Sequence, residues 1–347
     1  MSRFAMVCIF IGLLALPSRA AWPVEMTDLY AAEVPVADQS AAARAAASRA
    51  ALAEVLVKVT GSAAAPAQPQ FKALLQQSAQ AMQRYSYRTA ESGQALQVSF
   101  DRQTINQRIY DAGLPVWDRN RPQILLWLAL EDGGGRTLVG GENQPELQTV
   151  VKDRAQRRGL PVILPKLDGE EQNAVNIAGV WGQFSEPLMQ IAARYPADAV
   201  LLGRVYAIGP ERWRGQWTLR HAGSTASWEA GEGSIADVVA AGLNQVAENL
   251  AQRYALVLKP GVNSVATLMV DNVANIQDYA RLSRYLDSLD PVRGVTVERV
   301  EGASVVYRVQ VRGELQGLTQ ALVLGRVLTP VAAGAAADDA LQYRLIP

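Results

Sequence analysis

The chain has 347 residues, 49% of them hydrophobic and 19% charged, a composition that excludes an intrinsically disordered protein and a length that exceeds one ordinary core. Lys+Arg and Asp+Glu both number 33, so no global charge directs the chain to nucleic acid. The single cysteine is Cys8; if the segment that contains it is removed, disulfides, thiol nucleophiles and thiolate metal sites are excluded with it.

That segment reads as a signal peptide over residues 1–20. Arg3 supplies a positive start, residues 4–16 are apolar, and Pro17-Ser18-Arg19-Ala20 presents small residues where a signal peptidase reads, with cleavage expected after Ala20. The apolar run is short for a membrane span. Cys8 lacks the preceding leucine of a lipid-attachment box, which argues against a lipoprotein. The mature protein is therefore expected in the periplasm, with no transmembrane segment beyond the signal.

The next stretch organises the chain. Tyr30, Ala32, Val34 and Val36 alternate as on a strand with one buried face. Asp38 or Ser40 can cap the helix that follows. Leu52, Val55, Leu56 and Val59 recur at helical spacing; Ala41, Ala45 and Ser48 are expected to extend that stripe backwards, with Arg44, Arg49 and Lys58 solvated. Gly61 suits the left-handed residue that ends a helix. The runs EVPVADQS and ARAAASRALAEVLVKVTG, with the later GLPVW and RPQILLWLA, resemble the proteobacterial family known as domain of unknown function 2066 (DUF2066). The resemblance implies an exported envelope protein and carries over no catalytic residue.

Phe71, Leu74, Leu75 and Met82 mark a second helix. Strands are expected over residues 85–89 and 96–100 around a turn at 91–94, and Asp101 can cap a helix through Ile105 and Ile109 that stops at Gly113. Residues 117–122 read as a linker. ILLWLAL, residues 124–130, is a strand buried on both faces, and residues 131–142 are a glycine-rich excursion. Helices open at Pro145 and Pro187, short strands fall at 162–164 and 199–203, and antiparallel strands at 205–208, 212–221 and 226–230 precede a long amphipathic helix over 235–254. The element order, and ADAVLLGRV in particular, is similar to the α/β module of bacterial envelope accessory proteins, including the amino-terminal domain of the Tol translocation protein. That similarity concerns fold alone. After Lys259-Pro260-Gly261, the remaining elements spell β-α-β-β-α-β, the ferredoxin-like order, with a loop of small residues at 332–339. The expected fold class is thus α/β (α+β) in three small modules. Residues 21–117 form an N-terminal α/β domain, 123–257 a mixed sheet covered by helices, and 262–347 a ferredoxin-like domain.

Little in this pattern carries chemistry. His221 is the sole histidine and has no partner motif, so a packed structural role is expected. Asp132-Gly133-Gly134-Gly135 lacks the lysine of a phosphate loop and reads as a surface loop. No cofactor and no metal site is expected. The most distinctive stretch is RWRGQWTLR, in which Trp213 and Trp217 alternate with Arg212, Arg214 and Arg220. The tryptophans are expected to pack under the following helix and the arginines to face water. The competing reading is a partner-binding strip, because Trp and Arg anchor interfaces. The expected function is a non-enzymatic periplasmic accessory or scaffold protein that binds a protein or envelope-polymer partner. The alternatives are a carboxylate-dependent hydrolase of envelope polymers, signalled by convergent desolvated Asp/Glu, and a periplasmic ligand-binding module, signalled by a closed apolar pocket.

Overall fold

The structure is a computed structural model that describes residues 24–90, 93–182, 185–257, 262–325, 327–331 and 340–346. The segment expected to be a signal peptide, the tip of the turn at 91–92, the Lys259-Pro260-Gly261 separator and the 332–339 loop lie outside the described residues.

Strand β1 (Val24–Glu25) is followed by β2 (Ala31–Val36) and helix α1 (Ala41–Thr60). Ser40 starts α1 by accepting the Ala43 amide at 3.1 Å, which satisfies one orphan donor of the first turn. Gly61 ends it at φ 73°, donating its own amide to Val57 O. Leu52, Val55, Leu56 and Val59 are fully buried, and burial of each contributes roughly 1.5–3 kcal/mol. The buried face continues through Ala47, Ser48 and Ala51, while Ala41 and Ala45 are exposed. The expected stripe was therefore drawn out of phase in its first turns. Lys58 also differs from expectation: it is buried, donating Nζ to Ala31 O at 2.8 Å and pairing with Glu54 at 2.8 Å.

The expected second helix divides at Gln77, whose backbone leaves the helical region, into two short helices, α2 (Lys72–Gln76) and α3 (Ser78–Ala81), preceded by two 3-10 turns that carry Pro66 and Pro69 near their starts. Met82 begins β3 (Met82–Ala90) instead of ending a helix. β4 (Gly93–Phe100) and α4 (Arg102–Asp111), capped by Asp101, complete an antiparallel sheet of order β2-β4-β3 with α1 packed on it.

The second sheet begins after β5 (Asn120–Arg121), which pairs with β1. β6 (Ile124–Asp132) is the expected doubly buried strand. Its even-numbered side chains join one core, and Leu125, Trp127 and Ala129 join another on the opposite face. The glycine-rich excursion is a hairpin: β7 (Gly135–Val139) returns along β6, and Asp132 Oδ1 accepts the Gly134 amide within the turn. There follow α5 (Pro145–Arg157), β8 (Val162–Ile163), α6 (Gly169–Ala174), α7 (Ile177–Trp181), α8 (Ser185–Ala192), β9 (Ala199–Gly209), β10 (Arg212–His221), β11 (Ser224–Gly233) and α9 (Ile235–Tyr254). The sheet order is β11-β10-β9-β6-β7, with β9 parallel to β6 and β8 also paired with β6. Helices α5 and α9 cover one face and α6–α8 the other.

The third sheet follows the ferredoxin-like order through β12 (Asn263–Asp271), α10 (Ile276–Ser288), β13 (Val292–Glu301), β14 (Ser304–Arg312) and α11 (Leu315–Leu324). Helix α11 stops at Gly325, where a Cβ would lie 2.0 Å from Tyr285 Oη. Leu328–Pro330 forms an added edge strand, β15, and β16 (Leu341–Leu345) returns between it and β12, parallel to β12. Among the described residues no helix is long and apolar enough to cross a membrane.

Candidate functional site

The segment expected to be a linker is instead tied into the fold through buried side chains. Trp117 and Arg121 are 1% and 0% exposed. Trp117 donates its amide to Val59 O at 2.7 Å, and Val116 exchanges two backbone hydrogen bonds with Leu256 beyond the end of α9. Each nitrogen of the Arg121 guanidinium donates to a backbone carbonyl. Nε reaches Asp118 O at 3.1 Å; Nη1 reaches Arg158 O at 3.3 Å and Gly159 O at 2.8 Å; Nη2 reaches Lys58 O at 2.7 Å and Trp117 O at 3.1 Å. The plane also stacks over Trp117 at 4.0 Å. Lys58 O is one of the last carbonyls of α1, and Arg158 and Gly159 follow α5. One cation thus satisfies orphan acceptors at two helix C-termini, where positive charge is favoured. Gly159, at φ 62°, must be glycine, since a Cβ there would sit 2.5 Å from Arg121 Nη1.

Arg158 makes a partial version of this contact through Nη2 alone, which donates to Gly61 O at 2.8 Å. Gly61 lets α9 pack close beside it, because a Cβ would lie 2.1 Å from the Cβ of Ala251 in α9. Burial pulls the Arg121 pKa down to about 9, which still leaves it protonated at neutral pH. Burial also lowers that of Arg158, against the opposing pull of Glu248.

Beside this junction lies a cleft of about 580 Å³ between the end of the second sheet and α11, lined by Asn120, Pro122, His221, Tyr254, Gln316 and Gln320 among others. His221 ends β10 and its ring meets that of Tyr254 at 5.4 Å, edge to face. Its Nδ1 lies 2.9 Å from Asp198 O, and because a carbonyl only accepts, Nδ1 carries the proton. In the neutral ring, Nε2 then accepts from the Tyr254 hydroxyl. Gln320 of α11 bridges the cleft by donating to Arg253 O at 2.9 Å. Sequence reasoning placed His221 as a structural residue and missed its neighbours, which come from four separate segments. Among the described residues no group of three or more His, Cys, Asp and Glu is gathered as a metal site.

The expected partner-binding strip divides in the structure. Trp217 is 1% exposed, with its indole among Gly203, Gly215 and Gly242, where a Cβ on any of the three would come within 3.0 Å of it. Trp213 is half-buried against the same core. Arg212 and Arg214 share the Glu232 carboxylate on the neighbouring strand β11, at an exposed corner. Arg220 is half-buried roughly 20 Å along the strand from Arg214, at about 3.3 Å per residue.

A second polar cluster joins the first and third sheets. Arg102 of α4 donates Nε to Asp290 Oδ1 at 3.1 Å and Nη2 to Ser288 O at 3.1 Å; Asn106 donates to the same Asp290 oxygen at 3.1 Å and accepts from Tyr30 at 2.8 Å. Burial, then the Asp290 charge, push the Asp118 carboxyl well above the usual carboxylate range, with Arg102 opposing.

Residues 23–118 match the family model of Domain of unknown function (DUF8605). This finding corrects the resemblance to DUF2066, for the runs EVPVADQS and ARAAASRALAEVLVKVTG lie within the matched residues. The match covers the first sheet with its helices and ends at Asp118, inside the buried segment. No curated protein matches the chain.

Proposed function

We propose that the protein is a non-enzymatic accessory or scaffold protein of the cell envelope, exported by its signal peptide to the periplasm and cleaved after Ala20. In this reading residues 21–117, 123–257 and 262–347 are three α/β domains, and the cleft beside His221 and Tyr254 receives a protein or envelope-polymer partner. The observation that carries the reading is the coordination of Arg121. A buried cation whose five donors all meet backbone carbonyls fixes helices relative to one another and is not poised for chemistry. Rigid elements set around a polar cleft suit recognition, because a pre-organised surface loses less freedom on binding.

A photo-crosslinking residue tests this. Placed at Val323 or Gln316 on the cleft wall, it should yield one defined adduct in the intact envelope, while the same residue at exposed Arg49 on α1 should not. Equal labelling from both sites, or none from the cleft, contradicts the reading. Recovery of an intact Met1 on a membrane-bound species contradicts the cleavage and favours an uncleaved anchor.

One observation favours a second reading, a carboxylate-dependent hydrolase: Asp118 and Asp290 are convergent and desolvated. Against it, Arg102 and Asn106 already occupy one oxygen of Asp290. Loss of envelope-polymer hydrolysis in a folded Asp290→Asn protein decides for the hydrolase.

A further inference from the structure

We propose that the cleft between the second sheet and α11 binds a neutral polysaccharide, holding its hydroxyls with uncharged side-chain amides from both walls. The inference rests on the reading of this cleft as a partner site and names the chemistry of that partner.

At about 580 Å³ the cleft is of the size that accommodates a small ligand. Its charged groups are already engaged within the protein. Arg121 is bound to its backbone carbonyls. Asp198 Oδ2 accepts the Gln123 amide at 2.9 Å, and Arg253 donates Nη1 to Ser224 Oγ at 3.1 Å. His221 and Tyr254 are bound to each other.

The uncharged amides are open. Among the described residues, the side chains of Asn120 on β5 and Gln316 on α11 make no hydrogen bond within the protein. Gln320 donates to Arg253 O and keeps its Oε1 as an acceptor. Thr319 donates to Leu315 O at 3.2 Å and keeps lone pairs that accept. A side-chain amide carries donors and an acceptor in one plane, which suits hydroxyls that both donate and accept. Val323, 48% exposed, and the Tyr254 ring add apolar surface for the C–H side of a sugar ring.

Other polymers fit this lining less well. An anionic chain would meet one exposed cation, Arg253, and with it the Asp198 carboxylate. A peptide that adds as a strand needs a free sheet edge, whereas β10 lies between β9 and β11 and β5 is only two residues long. A peptide helix needs a row of apolar anchors, and the α11 wall presents Gln316, Thr319 and Gln320.

Titration calorimetry of the full chain with two neutral probes, cellotriose and tri-N-acetylchitotriose, tests this, with trigalacturonate as the anionic control. At least one neutral probe should bind at a single site, with an affinity unchanged between about 50 and 500 mM salt, because no charge is paired on binding. Trigalacturonate should bind more weakly. Gln316→Ala and Asn120→Ala should each weaken binding of the neutral probe by about three- to tenfold. Gln316 is exposed, so its variant carries the test if Asn120→Ala disturbs the β1–β5 pair. Binding of neither neutral probe, tighter binding of trigalacturonate, or an unchanged affinity in both variants overturns the inference. Failure of both sugars alongside a protein adduct from the crosslinker at Val323 sinks the inference alone and leaves the cleft as a partner site. Failure of both sugars with no adduct removes the two readings together.

Discussion

Arg121 and Arg212 carry the same guanidinium in opposite settings. Arg212 stands in the most conspicuous motif of the sequence, yet its side chain is 62% exposed and shares Glu232 with Arg214 at the corner of a sheet. Arg121 stands in the stretch expected to be a linker between two sheets and is fully buried, with helix ends from both sides converging on it. A charged side chain matters to this fold in proportion to the backbone it satisfies out of water, not to the density of charge around it in sequence.

That contrast is breakable. Arg121→Met removes the cation and leaves five carbonyls facing an apolar side chain. Each unsatisfied buried acceptor costs about 1–3 kcal/mol, so chemical denaturation should show a loss on the order of 5 kcal/mol or no folded protein at all. Trp217→Ala should cost about 3–5 kcal/mol, as large-to-small core changes do, read as a loss confined to the second sheet. Gly242→Ala should cost about 1–3 kcal/mol, because its Cβ would lie 2.2 Å from Trp217 Cε2; a neutral result would mean that the indole has room to move. Replacing Arg212 and Arg214 together with Ser should give no resolvable shift in the denaturation midpoint, since exposed ion pairs are screened by water and salt. A loss comparable to that of Arg121→Met would erase the distinction drawn between the two settings.

The sequence made the short-range features legible. Ser40 and Gly61 bracket α1 because caps act within one turn, and Trp217 falls on the buried face because strand alternation has a period of two. Lys58 was misplaced because its ammonium reaches Ala31 O, a partner 27 residues away that helical periodicity does not encode. Arg121 was invisible for the same reason on a larger scale: its carbonyl partners include residues 37, 38 and 63 positions away, and any residue type supplies a carbonyl. Gly61 was a local trace of that close packing, and it also read as an ordinary helix stop. The glycines at 133–135 suggested a loose loop where a hairpin turn feeds β7. The cleft was legible only through His221, since its other walls come from β5, the end of α9 and α11.

Hydrogen exchange followed through a urea series tests most directly the claim that Arg121 locks the first two sheets together. In the parent, buried amides of α1 and of β6 and β9 should open with the same free energy, and in Arg121→Met both sets should fall together by the same amount. If the α1 amides lose protection while those of β6 and β9 keep theirs, the two sheets are held independently and the account is wrong.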